Sequence, residues 1–251
     1  MTTAPAIEMA HVTKAYTIWR RLRKRAGRGI LDVSFTVPRG IIFGLLGLNG
    51  AGKTTTMKLL VGILRPDAGQ VRVLGGDIGT PAIRSRIGFL PELPYLPLHL
   101  DAQSLLGHYG RMSGMAGTPL DRRITAVLET TGLRGREREP MREYSKGMLQ
   151  RVAMAQVLLH GPEMVFADEP LSGLDPLGIR EMRDLLLRLK AEGVTVCLNS
   201  HQISEVERVC DRVGVLVAGR LVQEGTVPDL LRQTGTANLE DALLETIRRA
   251  A

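Results

Sequence analysis

Two hydrophobic periods alternate along the chain. Ile7 to Tyr16 and Leu31 to Val37 read as half-buried strands, the second setting Leu31, Val33, Phe35 and Val37 against polar or small neighbours. Ile41 to Leu46 is a continuous apolar run, as expected of a strand buried on both faces of a parallel sheet. A helix is predicted from Lys53 to about Leu64, stopped by Arg65 and Pro66. Val71 to Leu74 and Ile87 to Leu90 are further short strands. From Pro91 to about Gly161, Pro and Gly punctuate amphipathic stretches, which predicts a helical lobe. Strand character returns at Met164 to Ala167, Val194 to Leu198 and Val213 to Val217. Between the first two, Ile179, Met182, Leu185, Leu186 and Leu189 share a helix face that Gly193 ends. Val213 to Val217 and Leu221 to Gln223, turning at Ala218 and Gly219, predict a hairpin, and Asn238 to Ala251 a short amphipathic helix. The alternation implies an α/β fold with a parallel sheet, interrupted by a helical lobe.

Composition narrows the class without naming a chemistry. At 251 residues, 44% hydrophobic and 24% charged, the chain suits one compact domain with an appended lobe, not a disordered, collagenous or coiled-coil protein. No apolar stretch approaches the roughly 18 residues of a membrane span, and Met1 to Ile7 lacks the form of a signal peptide. Cys197 and Cys210 fall in a strand-like and a helix-like stretch, where reduced core thiols are expected. The net charge is +7, but Arg20, Arg21, Arg23, Lys24, Arg25 and Arg28 supply six positive charges between Trp19 and Gly29 with no acid among them. That run is a solvated loop, a contact for anionic headgroups or a partner's loops, or a nucleic-acid contact; being local, it does not make the whole protein a nucleic-acid binder.

Candidate chemistry begins at Gly47-Leu48-Asn49-Gly50-Ala51-Gly52-Lys53-Thr54, which fits G-x-x-x-x-G-K-[ST] between a buried strand and a helix. Glycines there let backbone N–H groups of residues 49 to 55 (Asn49, Gly50, Ala51, Gly52, Lys53, Thr54, Thr55) face phosphate oxygens, and the helix dipole favours the anion. Lys53 would hold the β and γ phosphates, and Thr54 would give its hydroxyl to Mg²⁺. Met164 to Ala167 ends in two acids: Asp168 is expected as a second metal partner and Glu169 as the group that orients water for attack on the γ phosphate. No Asn-Lys-x-Asp motif for guanine occurs. Tyr16, at a strand end, is a candidate platform for adenine or an ordinary packing residue.

Tyr144-Ser145-Lys146-Gly147-Met148-Leu149-Gln150-Arg151 resembles the signature motif of ABC transporter ATP-binding subunits, usually Leu-Ser-Gly-Gly-Gln. Ser145 reads as a helix N-cap, with Leu149, Val152, Ala153 and Val157 as an apolar stripe. Ser172-Gly173-Leu174-Asp175 looks like that family's D-loop, Ser200-His201 like its switch histidine, and Leu90-Pro91-Glu92 like its Q-loop with Glu in place of Gln. Lys146 and Met148 depart from the usual signature, and the basic run is longer than the family's usual turn.

The resemblance implies a P-loop NTPase (RecA-like) core over residues 5–235, with an N-terminal antiparallel β-subdomain, a helical subdomain inserted at about 93–160, and a short helix at 236–251. By the same resemblance, ATP binds at Tyr16, residues 49–55, Ser145, Gly147 and Asp175; Mg²⁺ binds at Thr54, Asp168 and Glu92; and Glu169 and His201 are catalytic. It further implies a homodimer or heterodimer around two Mg-ATP that drives a separately encoded transmembrane permease of exporter type from the inner, cytoplasmic face of the membrane. The alternatives are a related soluble ATPase acting on nucleic acid or ribosomes, and a nucleotide-binding protein that barely hydrolyses.

Overall fold

The structure is a computed structural model that describes residues 4–20 and 23–250. Its centre is a six-stranded sheet in the order β10-β9-β3-β8-β7-β6. The strands are β3 (Ile42–Leu46), β6 (Ile87–Leu90), β7 (Met164–Asp168), β8 (Thr195–Asn199), β9 (Arg212–Val217) and β10 (Arg220–Thr226). All pair in parallel except β10, which folds back on β9 through Ala218 and Gly219, both at positive φ as a tight hairpin turn requires.

The uninterrupted apolar runs follow from burial on both faces. In β3, Ile42 and Leu46 join one core while Phe43 and Leu45 join the other; in β7 the split is Val165 and Ala167 against Met164 and Phe166. The first core lies under the helices α3 (Ala102–Met112), α4 (Gly117–Thr130), α5 (Lys146–Leu158), α6 (Pro176–Ala191), α7 (Ile203–Val209), α8 (Val227–Thr234) and α9 (Leu239–Ala250). The second holds α1 (Lys53–Leu60) and an antiparallel sheet in the order β2-β1-β4-β5, from β1 (Ile7–Arg20), β2 (Arg23–Val37), β4 (Ala68–Val73) and β5 (Gly76–Asp77). A short helix, α2 (Pro81–Arg84), leads into β6. Phe35 of β2 stacks on Phe43 of β3 at 5.4 Å between ring centres, joining the two sheets. A fully buried phenylalanine such as Phe43 contributes about 1.5–3 kcal/mol.

Four expectations change. The first two strands do not stop at the basic run: β1 and β2 stay paired into it from both sides, Tyr16 opposite Gly27 and Arg20 opposite Arg23. The side chains of residues 17–28 lie outside the described residues, and the expected contact of that run with anionic headgroups falls on them. Leu31 is 45% exposed, not buried with Val33, because Asp32 takes φ 54° beside an irregular register and shifts the pleat by one residue. Helix α1 ends at Leu60, ahead of Arg65 and Pro66, where Gly62 at φ 74° turns the chain. Cys210 caps the end of α7 instead of lying within it; both thiols are free and buried, and burial pushes both up in pKa.

Helix α5 reaches the sheet because β6 carries glycine at the crossing: a Cβ on Gly88 would stand 2.5 Å from Val157 Cγ1. Beside it, Glu163 accepts hydrogen bonds from Arg86 and from Arg39, at 2.8 and 2.9 Å, tying the entries of β7, β6 and β3 together. These guanidinium groups, Arg86 foremost, hold the Glu163 carboxyl down at about 2. A depressed carboxylate stabilises the fold above its unfolded pKa, and that contribution is lost as pH falls. Glu163→Gln is therefore expected to cost on the order of 1 kcal/mol at neutral pH after solvent screening. The gap between wild type and variant in urea unfolding should close as pH falls from about 4.5 to about 2; a gap independent of pH would contradict the assignment.

Candidate active site

Strand β3 delivers the phosphate loop at the carboxyl edge of the sheet. Gly47, Gly50 and Gly52 adopt φ 145°, 81° and 110°, and Gly52 precedes α1 without a capping side chain, so the first N–H groups of the helix remain open to an anion. Gly47 has no room for a side chain: a Cβ there would lie 2.3 Å from the Leu216 carbonyl oxygen. The outside of the loop is fastened through the β9–β10 turn, where Gly219 donates to the Ala51 carbonyl at 3.0 Å and its own carbonyl accepts from Leu31 at 2.8 Å.

Lys53 is buried, and its Nζ donates to the carbonyls of Gly47 at 2.7 Å and Leu48 at 3.3 Å. Burial lowers its pKa, while Glu169 and Asp168 pull it back up. The two strands next to β3 on one side, β8 and β7, bring their own ends to the same level. Asp168 closes β7 opposite Asn199 and is buried. Glu169 follows at φ 51°, a left-handed conformation that costs a non-glycine residue about 1–2 kcal/mol. Its N–H donates to Asn199 Oδ1 at 2.9 Å and to the Asn199 carbonyl at 3.1 Å, which offsets that strain and aims the side chain. Glu169 Oε2 in turn accepts from the His201 N–H at 3.1 Å and lies 2.7 Å from His201 Nδ1.

These groups line one hollow of about 550 Å³, formed by Gly29, Asn49, Gly50, Gly52, Lys53, Thr54, Thr55, Glu92, Asp168, Glu169, Asn199 and His201. Ten of the residues expected from the sequence therefore meet. Tyr16 stands at the rim, its hydroxyl 3.4 Å from Thr55 Oγ1, and Ala51 lies behind the loop, its carbonyl turned to Gly219. Ser145, Gly147 and Asp175 do not line the hollow. Ser145 Oγ caps α5 at the Met148 N–H, 3.2 Å away, and Asp175 Oδ1 caps α6 at the Gly178 N–H, 2.7 Å away. Asn199 and Gly29 went unassigned in the sequence. Asn199 had a signal, a polar side chain closing an apolar strand just before Ser200-His201; Gly29 had none. A larger hollow of about 960 Å³ beside β1 and β2 is lined by Glu8 and His11 and by Arg212, Glu224 and Arg39, the last three already in ion pairs, and contains none of the phosphate-loop or strand-end acidic residues.

The donor set suits a hydrated divalent cation on a polyphosphate. Thr54, Asp168 and Glu92 offer hard oxygen, and among the described residues no group of three His, Cys, Asp or Glu forms a metal cage. A small cation here would complete its shell with phosphate oxygens and water, as Mg²⁺ does.

A phosphate loop on a parallel sheet, faced by a strand-end Asp-Glu pair and a histidine, defines a P-loop nucleotide-binding cassette. The family model described as ABC transporter matches residues 30–172, and the chain belongs to that family. It is 46% identical over 209 residues to an uncharacterized ABC transporter ATP-binding protein of Nostoc sp., covering 82% of this chain and 62% of that one. It is 38% identical over 226 residues to a daunorubicin resistance ATP-binding protein of Streptomyces coeruleorubidus, covering 88% of this chain and 72% of that one. A solved ATP-binding subunit of an ABC transporter superposes with TM-score 0.79 at 30% identity, covering 96% of this chain and 99% of that one. The chain thus spans about three fifths of the Nostoc relative and nearly all of the solved subunit.

Gly47→Ala should abolish binding of a fluorescent ATP analogue and lower stability by about 2–3 kcal/mol in denaturant unfolding, since the new methyl meets backbone and not a movable side chain. Near wild-type affinity in that variant would show that the loop is not held as described.

Proposed function

We propose that the chain binds and hydrolyses Mg-ATP, dimerises around two nucleotides, and drives a membrane permease, in an export system. The observation that carries this reading is the convergence of Lys53, Thr54, Asp168, Glu169 and His201 on one hollow beside an open helix N-terminus. Lys53 exchanges the Gly47 and Leu48 carbonyls for the β and γ phosphates, while the amides of Asn49, Gly50 and residues 52–55 bind the remaining oxygens, the Ala51 N–H donating instead to the Leu48 carbonyl at 3.0 Å. Thr54 and Asp168 would hold a Mg²⁺ ion, with Glu92 through water, and the ion would supply charge neutralisation on the phosphates. Glu169 Oε2 accepts from the His201 N–H and lies 2.7 Å from its Nδ1, which directs the carboxylate, and it orients the attacking water. An imidazole donating from Nδ1 to Glu169 can also donate from Nε2 to phosphate only as imidazolium. Tyr16 stacks on the base.

Ser145 and Gly147 support dimerisation, because the residues that line the hollow do not include them and a γ phosphate contact from them requires a second copy. Residues 5–235 then act as one ATPase unit, with about 93–160 as its helical lobe and 236–251 as an appended helix. No helix among the described residues is long and apolar enough to cross a membrane, and in this reading a separately encoded permease supplies the path. Its loops would meet the apolar segment next to Glu92, where Leu93 and Tyr95 are exposed, Tyr95 to 92%. The basic run at 19–29 supports a contact with anionic headgroups on the inner face of the membrane. Export is supported by the daunorubicin resistance relative, and action on ribosomes or nucleic acid is not favoured.

Glu169→Gln should retain ATP binding, slow hydrolysis by about 10²–10⁴-fold and accumulate a nucleotide-bound dimer in size-exclusion chromatography. Lys53→Ala should instead weaken ATP binding by about 10- to 100-fold in a titration with the fluorescent analogue. Unchanged turnover in the first variant would refute the role given to Glu169.

A further inference from the structure

Lys146, which stands where the family's signature usually has glycine, is the feature the proposed cycle leaves without a role. Its surroundings assign it one. Helices α5 and α6 meet at their first turns through two glycines: a Cβ on Gly147 would stand 3.7 Å from the Gly178 Cα, and one on Gly178 would stand 3.8 Å from the Gly147 Cα. One turn further along, Arg151 of α5 lies 3.4 Å from Glu181 of α6. The two helix starts therefore form one block, with Ser145 capping the first and Asp175 the second.

From the first residue of α5, Lys146 reaches across this block to the loop ahead of α6. A Cβ on Gly173 would lie 2.0 Å from Lys146 Nζ, 3.2 Å from Cε and 3.7 Å from Cδ, so the end of the lysine covers the open face of that glycine. Among the described residues no ion pair or hydrogen bond engages the ammonium, and the contact is one of packing. The loop it covers is short and begins at the proposed base: the Ser172 N–H donates to the Glu169 carbonyl at 3.1 Å, and Gln202, next to His201, donates to the Leu171 carbonyl at 3.3 Å.

We infer that Lys146 is a positioning residue that latches the signature end of α5 to the 172–175 loop, and so couples the two nucleotide sites of the dimer. This rests on the dimer proposed above. In that dimer Ser145 and Gly147 of one copy face its partner's nucleotide, while Glu169 of the same copy serves its own. Movement of α5 on sealing the first site is carried by Lys146 and the glycine crossing into the loop behind Glu169, which orders the base in the second. Hydrolysis at either site then depends on occupancy of both.

The latch can be released from either side. Lys146→Ala removes it, and Gly173→Ala both displaces it, since the new methyl meets the far end of the lysine, and strains the 172–175 loop itself, since that residue sits at φ 66°. Lys146→Met keeps the stem without the charge. In steady-state ATPase assays of the full chain, the wild type should show a Hill coefficient for ATP above about 1.5. Lys146→Ala and Gly173→Ala should each bring it to about 1, the double variant should fall no further, and Lys146→Met should stay near wild type. Affinity for a fluorescent ATP analogue in the monomer should be unchanged in all of them. A wild type with no ATPase activity would refute the parent reading. An active wild type without cooperativity, or with cooperativity that survives Lys146→Ala, would refute the latch alone. A Lys146→Met variant as impaired as Lys146→Ala would also refute it, assigning the lysine to phosphate charge instead.

Discussion

The molecule depends on a close fit of backbone against backbone around the loop from Gly47 to Gly52. On one side the Leu216 carbonyl occupies the space a side chain at Gly47 would need; on the other, Gly52 abuts Ile30 and Gly219 abuts Gly29. With the Gly219–Ala51 and Leu31–Gly219 hydrogen bonds, these contacts hold an irregular loop in the form that presents its N–H groups outward. Both sheets contribute to that hold, which is why the antiparallel sheet is part of the site's framework as well as of the second core.

Around this loop the parallel sheet works as a levelling device. Strands β3, β7 and β8 are registered so that Leu45, Asp168 and Asn199 close at one edge. Asp168 is a strand residue fixed by its ladder, whereas Glu169, one position on, has left the strand at positive φ and is steered by Asn199 and His201. Two adjacent carboxylates thereby acquire different surroundings and, in the proposed chemistry, different tasks. The same division recurs at the helix starts: Ser145 and Asp175 act as caps in this chain, yet stand at the surface through which a second copy would be read.

Local chemistry made much of this legible in the sequence. The glycine pattern of the phosphate loop, the apolar run ending in Asp168-Glu169, the serine cap of α5 and the Ala218-Gly219 turn each state their conformation within a few residues. What escaped depended on partners far away in the chain. Asn199 marks itself locally only as a polar strand end, and its role comes from lying opposite Asp168; Gly29 matters because it meets the β9–β10 turn, which no local pattern records. The exposure of Leu31 turned on a left-handed Asp32 that breaks the alternation. The strand pairing into the basic run was hidden because its charge pattern reads as a solvated loop, while cross-strand pairing continues regardless of it.

The central claim is that the loop at residues 47–54 holds a nucleotide that a second copy seals through the start of α5. Its most direct test is disulfide trapping between two differently tagged copies, one carrying Asn49→Cys and the other Ser145→Cys. Native Cys197 and Cys210 do not compete, since both are buried with thiols held in the neutral form. The account predicts a cross-link between the two tags that forms with Mg-ATP and is largely lost without nucleotide. Absence of that product, or equal yield with and without ATP, would contradict it.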